Sequence, residues 1–347
     1  MNRSPNVPLQ SRTPRTHLTF KRTFLFILVC VLLFLMILAS IVFGARDVSI
    51  DEVMTALAGS IETMSHAAVE ARVPRTALAV IAGAALGLSG AVMQGVTRNV
   101  LADPGILGVN MGASLAIVVG IAYFDLASAY SYLGVAIVGA GVTVAFVYGI
   151  ASMGFGGATP LKLALAGAAT SIALSSFVVA IVLPRNDIAG GVRSWQIGGV
   201  GGATFERIEL ILPILLIGFV LSLSAAKTLN ALALGDDVAA GFGENVAWAR
   251  LRCAAGAILL CGATTALCGP IGFVGLVVPH VARLLVGLDH RWLLPFSCIG
   301  GAVLLLSADI IGRVVTRPSE IDVGIITALV GAPVFIWIVR YHRMRDL

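Results

Sequence analysis

Few residues in this 347-residue sequence could hold a metal or carry redox chemistry, and none has the spacing that such chemistry needs. The five cysteines are Cys30, Cys253, Cys261, Cys268 and Cys298. The five histidines are His17, His66, His280, His290 and His342. No two cysteines form a C-x-x-C motif, and the histidines are scattered without ligand spacing. The sequence therefore predicts buried free thiols, with no metal and no cofactor bound by this chain.

Motifs that bind nucleotides or hydrolyse substrates are also absent from the sequence. A P-loop reads G-x-x-x-x-G-K-[ST], and the nearest match, Ala226-Lys227-Thr228, lacks the glycines. Neither H-E-x-x-H nor G-x-S-x-G occurs. A membrane-embedded enzyme would need a clustered polar site, which the sequence does not contain. Any energy for transport must therefore come from elsewhere.

The composition indicates a chain that is solvated mostly by lipid. Hydrophobic residues make up 58% of the sequence and charged residues 12%, and the mean hydropathy is +0.99. A soluble domain carries about 25% charged residues, because its surface must face water. The net charge of +5 does not indicate nucleic-acid binding, because no basic cluster alternates with aromatic residues. The basic residues lie between apolar runs, as expected of cytoplasmic loops in a membrane protein.

Apolar runs of about 20 residues predict ten transmembrane helices. They cover residues 24–44, 76–96, 106–124, 131–153, 162–183, 208–226, 251–268, 271–287, 293–312 and 322–340. Runs of this length exclude a β-barrel, whose strands are shorter and alternate. The run from Phe24 to Phe43 is too long for the apolar region of a signal peptide, so we interpret it as a retained first helix. The prediction is an all-α integral membrane protein, with 24–347 as one domain.

The distribution of basic residues predicts the orientation of these helices. With the N-terminus inside, 15 of the 23 Lys and Arg residues lie on inner segments and 8 on outer segments. Because cytoplasmic loops carry the excess of Lys and Arg, both termini are predicted to be cytoplasmic. Residues 1–23 then form a basic cytoplasmic tail.

Two polar segments are too hydrophilic to span a membrane. Residues 45–73 are amphipathic and are predicted to lie on the outer face. Residues 228–250 are predicted to form two short helices on the inner face, broken at Gly241-Phe242-Gly243. Asp236 and Glu244 would lie near helix starts, where negative charge is favoured.

Within the predicted spans, the notable features are two glycine pairs and one acidic residue. Gly83 with Gly87, and Gly108 with Gly112, have the G-x-x-x-G spacing of close helix packing. Asp309 is the one acidic residue well inside a predicted span, and Arg313 follows it by four residues. This spacing predicts an i,i+4 ion pair near the outer surface. An ion-coupled secondary transporter, which normally has ionisable residues at the midplane, is therefore the weaker alternative.

Several stretches in order along the chain resemble the ABC importer permeases for ferric siderophores, haem and vitamin B12. They are RVPRTALAVIAGAALGLSGAVMQGVTRNVLADPGILGVNMGA (72–113), W-x-x-G (195–198), LALGDDVAAGFG (232–243), GPIGFVGLVVPHVARLLVGLDHRWLLP (269–295), ADIIGR (308–313) and VGIITALVGAPVFIWIV (323–339). The resemblance covers nearly the whole membrane domain. It implies a type II importer fold with ten helices per subunit in the bacterial cytoplasmic membrane.

The resemblance also implies partners. Two permease subunits, identical or related, surround a translocation path whose walls come from the second, fifth and eighth helices. Two ATPase subunits bind inside and use ATP and magnesium, and a substrate-binding protein docks outside. Residues 228–250 match the coupling helices that sit in a groove of the ATPase. Of these, Asp236, Gly241, Gly243 and Glu244 are the predicted coupling residues.

The resemblance assigns residues on the outer face as well. Arg72, Arg75 and Arg313 match arginines that pair with acidic residues of the binding protein, for which a guanidinium offers two parallel hydrogen bonds. Residues 190–205 resemble a short gating helix. Within this segment, Trp195, Gly198 and Gly199 are the predicted gate residues.

Three positions depart from the family pattern. Val100 and Asp322 stand where proline is usual, and Gly199 stands where serine is common. Asp322 therefore adds an acidic residue near the outer mouth of the path. Ferric siderophore is the preferred substrate, with haem and cobalamin as alternatives. An apolar path leaves selectivity mainly to the binding protein, so the permease sequence carries little information about which chelate is transported.

Overall fold

Long apolar runs fold as helices in this chain, because a helix satisfies its own backbone hydrogen bonds where no water is available. The computed structural model describes residues 15–59, 63–105, 107–126, 128–153 and 160–343. In these ranges it has fourteen helices and no strands. They are α1 (Arg15–Val42), α2 (Ile50–Leu57), α3 (Met64–Thr97), α4 (Val109–Phe124), α5 (Ala129–Ser152), α6 (Pro160–Val182), α7 (Asn186–Ile197), α8 (Phe205–Ser224), α9 (Ala226–Ala233), α10 (Asp236–Gly241), α11 (Val246–Cys268), α12 (Val274–Val286), α13 (His290–Val315) and α14 (Val323–Arg343).

The all-helical membrane fold is confirmed. In the described ranges, seven helices are long and apolar enough to cross a membrane, namely α1, α3, α5, α6, α8, α11 and α13. Three further apolar helices, α4, α12 and α14, are shorter. Each of these ten helices coincides with one of the ten predicted spans.

The predicted outer segment 45–73 contains two helical pieces. In α2, the Ser49 side chain accepts from the backbone N–H of Glu52, and the Glu52 carboxylate accepts from Ser49, which forms a capping box. The third helix begins at Met64 rather than at residue 76, because Thr63 provides its N-cap by accepting from the backbone N–H of His66. Residues 1–14 of the predicted basic tail lie outside the described residues, and α1 begins at Arg15.

The helix α3 runs through the middle of the bundle. It is largely buried, whereas α1 lies on the outside with most of its apolar surface exposed. The main neighbours of α3 are α13, α11 and α12. The side chains of Leu78, Leu88 and Val92 on α3 belong to the principal apolar core, together with Leu305 of α13. The position of α3 therefore determines how the helices around it are arranged.

The predicted close packing at both G-x-x-x-G pairs is confirmed. Gly83 and Gly87 lie against α13, where a Cβ on Gly83 would be 2.8 Å from the Cα of Ala302. At the second pair, a Cβ on Gly108 would be 2.8 Å from the Cγ2 of Thr143 in α5. Real Cβ atoms do not approach so closely, so these helices can pack only because the positions are glycine.

The polar segment 228–250 is helical, and it breaks at the predicted Gly241-Phe242-Gly243, where α10 ends and Gly243 (φ +84°) leads into α11. It also has a break that was not predicted, at Gly235 (φ +120°), which separates the two short helices α9 and α10. Both glycines adopt backbone conformations that other residues avoid.

We expect Gly83→Ala to destabilise the purified protein by about 1–3 kcal/mol, because the added methyl group pushes α13 away from α3. The measurement is thermal denaturation in detergent. Gly141→Ala in α5 is the control, since among the described residues no heavy atom lies within 4 Å of a Cβ there. A Gly83→Ala protein as stable as the Gly141→Ala protein would contradict close packing at this interface.

Candidate docking, gating and coupling sites

A buried carboxylate holds two arginines at one end of the bundle. Asp309 of α13 has no exposed side-chain surface, and its Oδ2 lies 2.9 Å from Nη2 of Arg313 one turn later. This is the predicted i,i+4 ion pair. A second arginine, Arg75 of α3, approaches the other oxygen, with Nη2 2.8 Å from Oδ1 and Nε donating to the same atom at 2.9 Å. The cluster therefore joins α3 to α13.

Two of the predicted docking arginines bind the carboxyl end of α1. Arg72 donates through Nη1 to the carbonyl oxygens of Ile41 (3.0 Å) and Val42 (2.7 Å). Arg313 donates through Nη1 to the carbonyl oxygen of Ser40 at 3.0 Å. The last carbonyls of a helix have no partner within it, and they favour a positive charge. The structure thus gives Arg72 and Arg313 an internal role, and docking by these two residues stays a prediction.

Arg75 also faces a groove at this end of the bundle. Its Nη1 donates to Oε2 of Glu320 at 2.6 Å, and the Glu320 side chain is 40% exposed. The groove has a volume of about 490 Å³. Its charged lining residues are Arg46, Arg72, Arg75, Arg313 and Glu320. We call it the arginine groove, and the end of the bundle that carries it the arginine end.

The predicted gate residues lie at a junction of three helices. Gly199 donates its N–H to the carbonyl oxygen of Cys268 at the end of α11 (2.8 Å). Gly324 at the start of α14 donates to the carbonyl oxygen of Gly198 (2.9 Å). Gly198, which follows α7, has a φ of +78° and donates to the carbonyl oxygen of Trp195. We call Gly198, Gly199 and Gly324 the glycine junction, because they connect α7 to α11 and α14 through backbone hydrogen bonds.

Two departures from the family pattern meet at the glycine junction. A Cβ on Gly199 would lie 2.7 Å from Oδ1 of Asp322. Burial raises the pKa of Asp322 above its usual value, although the positive charge of Arg75 acts in the opposite direction. A larger side chain at position 199 would require the carboxylate at position 322 to move.

A cavity of about 280 Å³ lies beside the helix that carries Trp195. Its lining comes from α4, α5, α7, α8 and α11, and includes Ile117, Tyr132, Trp195 and Arg207. Protein interiors seldom contain voids larger than a water molecule. The cavity leaves α7 with free space on one side.

The opposite end of the bundle carries α9 and α10, and we call it the short-helix end. Asp236 at the start of α10 pairs with Arg98 after α3 and with Nη2 of Arg250 in α11 (3.0 Å). The hydroxyl of Thr228 in α9 donates to Oε1 of Glu244 at 3.2 Å. Asp236 and Glu244 therefore attach the short helices to the bundle, and the structure assigns both residues an anchoring role.

The same end exposes apolar side chains that sequence analysis did not select. Val238 and Phe242 are 44% and 71% exposed, and they are four residues apart along α10. Leu234, just before α10, is 64% exposed. Gly241 and Gly243 lie among them, and within the described structure nothing lies within 4 Å of a Cβ built on either glycine. The four-residue spacing of Val238 and Phe242, next to Asp236 and Asp237, is the sequence pattern that indicates this surface. We call Leu234, Val238 and Phe242 the α10 patch.

The chain matches one protein family over most of its length. Residues 32–341 match the FecCD transport family. The chain belongs to the FecCD transport family. Among its relatives, the ferric enterobactin permease protein FepD of Escherichia coli K12 is 42% identical over 89% of this chain and 93% of FepD. The hemin permease protein HmuU of Yersinia pestis is 38% identical over 81% of this chain and 85% of HmuU.

A solved structure agrees with the membership in the FecCD family. It is an inward-facing conformation of a metal-chelate type ABC transporter, with a TM-score of 0.78 and 28% identity. The match covers 92% of this chain and 99% of the solved chain. Membership in the FecCD family and the fold of an ABC importer permease, both predicted from the motifs, are therefore confirmed.

In this FecCD protein, Asp309→Asn would leave Arg75 and Arg313 buried without their shared carboxylate. Removing one partner of a buried ion pair costs about 3–5 kcal/mol, so we expect a large fall in melting temperature in detergent. Glu320→Gln, which removes the exposed partner of Arg75, should lower the melting temperature much less, because exposed pairs contribute about 0–1 kcal/mol. Equal melting temperatures for the two variants would contradict the central role of Asp309.

Proposed function

We propose that this chain is the transmembrane permease subunit of an ABC importer that carries a ferric siderophore across the bacterial cytoplasmic membrane. The observation that carries the proposal is the match to FecCD over residues 32–341, together with 42% identity to a ferric enterobactin permease. Haem is the second candidate substrate, because a hemin permease is 38% identical over most of its length.

ATP hydrolysis takes place in a separate ATPase subunit, which binds ATP and magnesium and docks on the short-helix end. The absence of a P-loop from the sequence and the α10 patch support this assignment. Exposed apolar side chains beside charged residues, outside the apolar spans, are typical of a surface that binds another protein. In this proposal Gly241 and Gly243 allow close approach, while Asp236 and Glu244 transmit force into α3 and α11.

The arginine end faces outwards and receives a substrate-binding protein. The excess of basic residues on the other side supports this orientation, with both termini in the cytoplasm. The arginine groove carries four arginines and one glutamate, so it attracts a protein with acidic side chains. Of the three predicted docking arginines, Arg72 and Arg313 bind the end of α1, whereas Arg75 binds Asp309 and Glu320 and lines the groove.

Transport proceeds by alternating access between two permease subunits. The α7 helix acts as the outer gate, with the glycine junction as its hinge and the neighbouring cavity as the space into which it moves. The second subunit, identical or related, packs against apolar surfaces that this chain leaves exposed, such as Val281 and Leu284 on α12. A path with small apolar walls releases a bulky chelate without holding it.

The test of the function is uptake of labelled ferric siderophore, haem and cobalamin in a strain that lacks the gene, with and without a plasmid copy. We expect the plasmid to restore ferric siderophore uptake and to leave the other two unchanged. An uncoupler should not abolish uptake while ATP is kept high, because transport is driven by ATP. Restoration of haem uptake alone would favour the second substrate, and collapse with the uncoupler would favour an ion-coupled transporter.

The coupling surface is tested by two substitutions at one position. Gly241→Trp places a large side chain on the α10 patch, so we expect at least tenfold weaker association with the ATPase, measured by copurification and titration. Gly241→Ala should associate normally, because the site is open and the residue is helical. Normal association of the Gly241→Trp protein would show that the ATPase does not bind here.

A further inference from the structure

Arg75 divides its hydrogen bonds between two carboxylates in very different surroundings. Its Nε and Nη2 atoms face Asp309, which is fully buried, and its Nη1 faces Glu320, which is 40% exposed. A buried ion pair is costly to separate, whereas an exposed ion pair competes with water and contributes little. Glu320 is therefore the partner that Arg75 exchanges easily, while Asp309 holds the guanidinium in place.

Glu320 is placed on the rim of the arginine groove by a turn between α13 and α14. The hydroxyl of Ser319 donates to the carbonyl oxygen of Thr316 (2.7 Å), and the N–H of Ile321 donates to the carbonyl oxygen of Gly312 (3.0 Å). Within the described structure, Glu320 is the one acidic residue that lines the groove, beside four arginines. Glu320 therefore occupies the position on Nη1 of Arg75 that a carboxylate of a docking protein would take.

A second arginine on the rim has no acidic partner. In the part of the chain that the structure describes, no carboxylate lies within 4 Å of the Arg46 guanidinium, and the residue is exposed. Of the groove's other arginines, Arg72 is buried and donates to backbone carbonyls, and Arg313 is paired with Asp309. The cations left for an incoming protein are therefore Arg46 and Arg75, of which Arg75 is paired with Glu320. An incoming protein with two acidic side chains could neutralise both, because each guanidinium accommodates a carboxylate through parallel hydrogen bonds.

We propose that Glu320 is a resident carboxylate of the docking site, and that an acidic side chain of the docking protein replaces it on Nη1 of Arg75. This inference rests on the proposed function, since it assumes that a binding protein docks on the arginine end. The released segment leads directly to the glycine junction, because Oδ1 of Asp322 lies 2.7 Å from where a Cβ on Gly199 would be and Gly324 donates to Gly198. Glu320 is four residues before Gly324, whose N–H donates to the carbonyl oxygen of Gly198 in the hinge of the proposed gate. Replacement of Glu320 therefore takes place close to that hydrogen bond.

The experiment compares Glu320→Gln with Glu70→Gln in the permease assembled with its ATPase subunits in lipid nanodiscs. The probe is the purified substrate-binding protein that supports uptake with this permease in the cellular assay. Glu70 is the matched control, because it is exposed at the same end and makes no ion pair among the described residues. Both changes remove one negative charge, but only Glu320→Gln removes the competitor from Arg75.

We expect Glu320→Gln to bind the probe about fivefold more tightly than Glu70→Gln at low salt, as an exposed ion pair of ordinary strength predicts. Equal or weaker binding by Glu320→Gln would overturn the inference. Arg46→Gln tests the docking site itself and leaves the Asp309 cluster intact, so binding should weaken about fivefold. If the Arg46→Gln and Arg75→Gln proteins both bind the probe as tightly as the wild type, the binding protein does not dock on this groove. The exchange of Glu320 is then also wrong.

Discussion

The arrangement of this protein depends on one buried carboxylate that is shared by two guanidinium groups. Asp309 lies fully buried between Arg75 and Arg313, and a charge in such surroundings is stable only when it is paired. The cluster fixes the position of α3 along α13, and the glycines at 83 and 87 then allow the two helices to remain in contact further along. Through Arg313 it also holds the end of α1, so a weakly packed outer helix is attached to the core by hydrogen bonds to its last carbonyls.

The same central helix connects the two candidate sites. Arg75 lies in the first half of α3 and reaches the arginine groove, whereas Arg98 follows its last turn and pairs with Asp236 of α10. Under the proposed function, docking on one end and ATPase closure on the other would act on one continuous helix of 34 residues. A helix packed this closely transmits displacement rather than absorbing it, because interiors at native density have low compressibility.

The sequence predicted the elements better than the contacts between them. Ten apolar runs predicted the ten apolar helices, and a spacing of four residues predicted the Asp309–Arg313 pair. The approach of Arg75 to Asp309 joins residues 234 positions apart, and no local pattern encodes how two distant helices face each other. The capping of α1 by Arg72 was missed for the same reason. The break at Gly241–Gly243 was predicted, whereas the additional break at Gly235 was not; it follows Leu229 and Leu232 of α9, which are fully buried in the bundle.

The departures at positions 199 and 322 lie side by side in the structure. Taken separately, Gly199 in place of serine and Asp322 in place of proline had no common explanation in the sequence. In the structure, a Cβ at position 199 would lie 2.7 Å from Oδ1 of Asp322, so serine at 199 would require this carboxylate to turn aside. Glycine at 199 therefore makes room for the acid, and the acid lies two residues from Glu320 and beside the backbone that joins α7 to α14. Because the positive charge of Arg75 acts on this carboxylate, position 322 is where the arginine groove and the glycine junction meet.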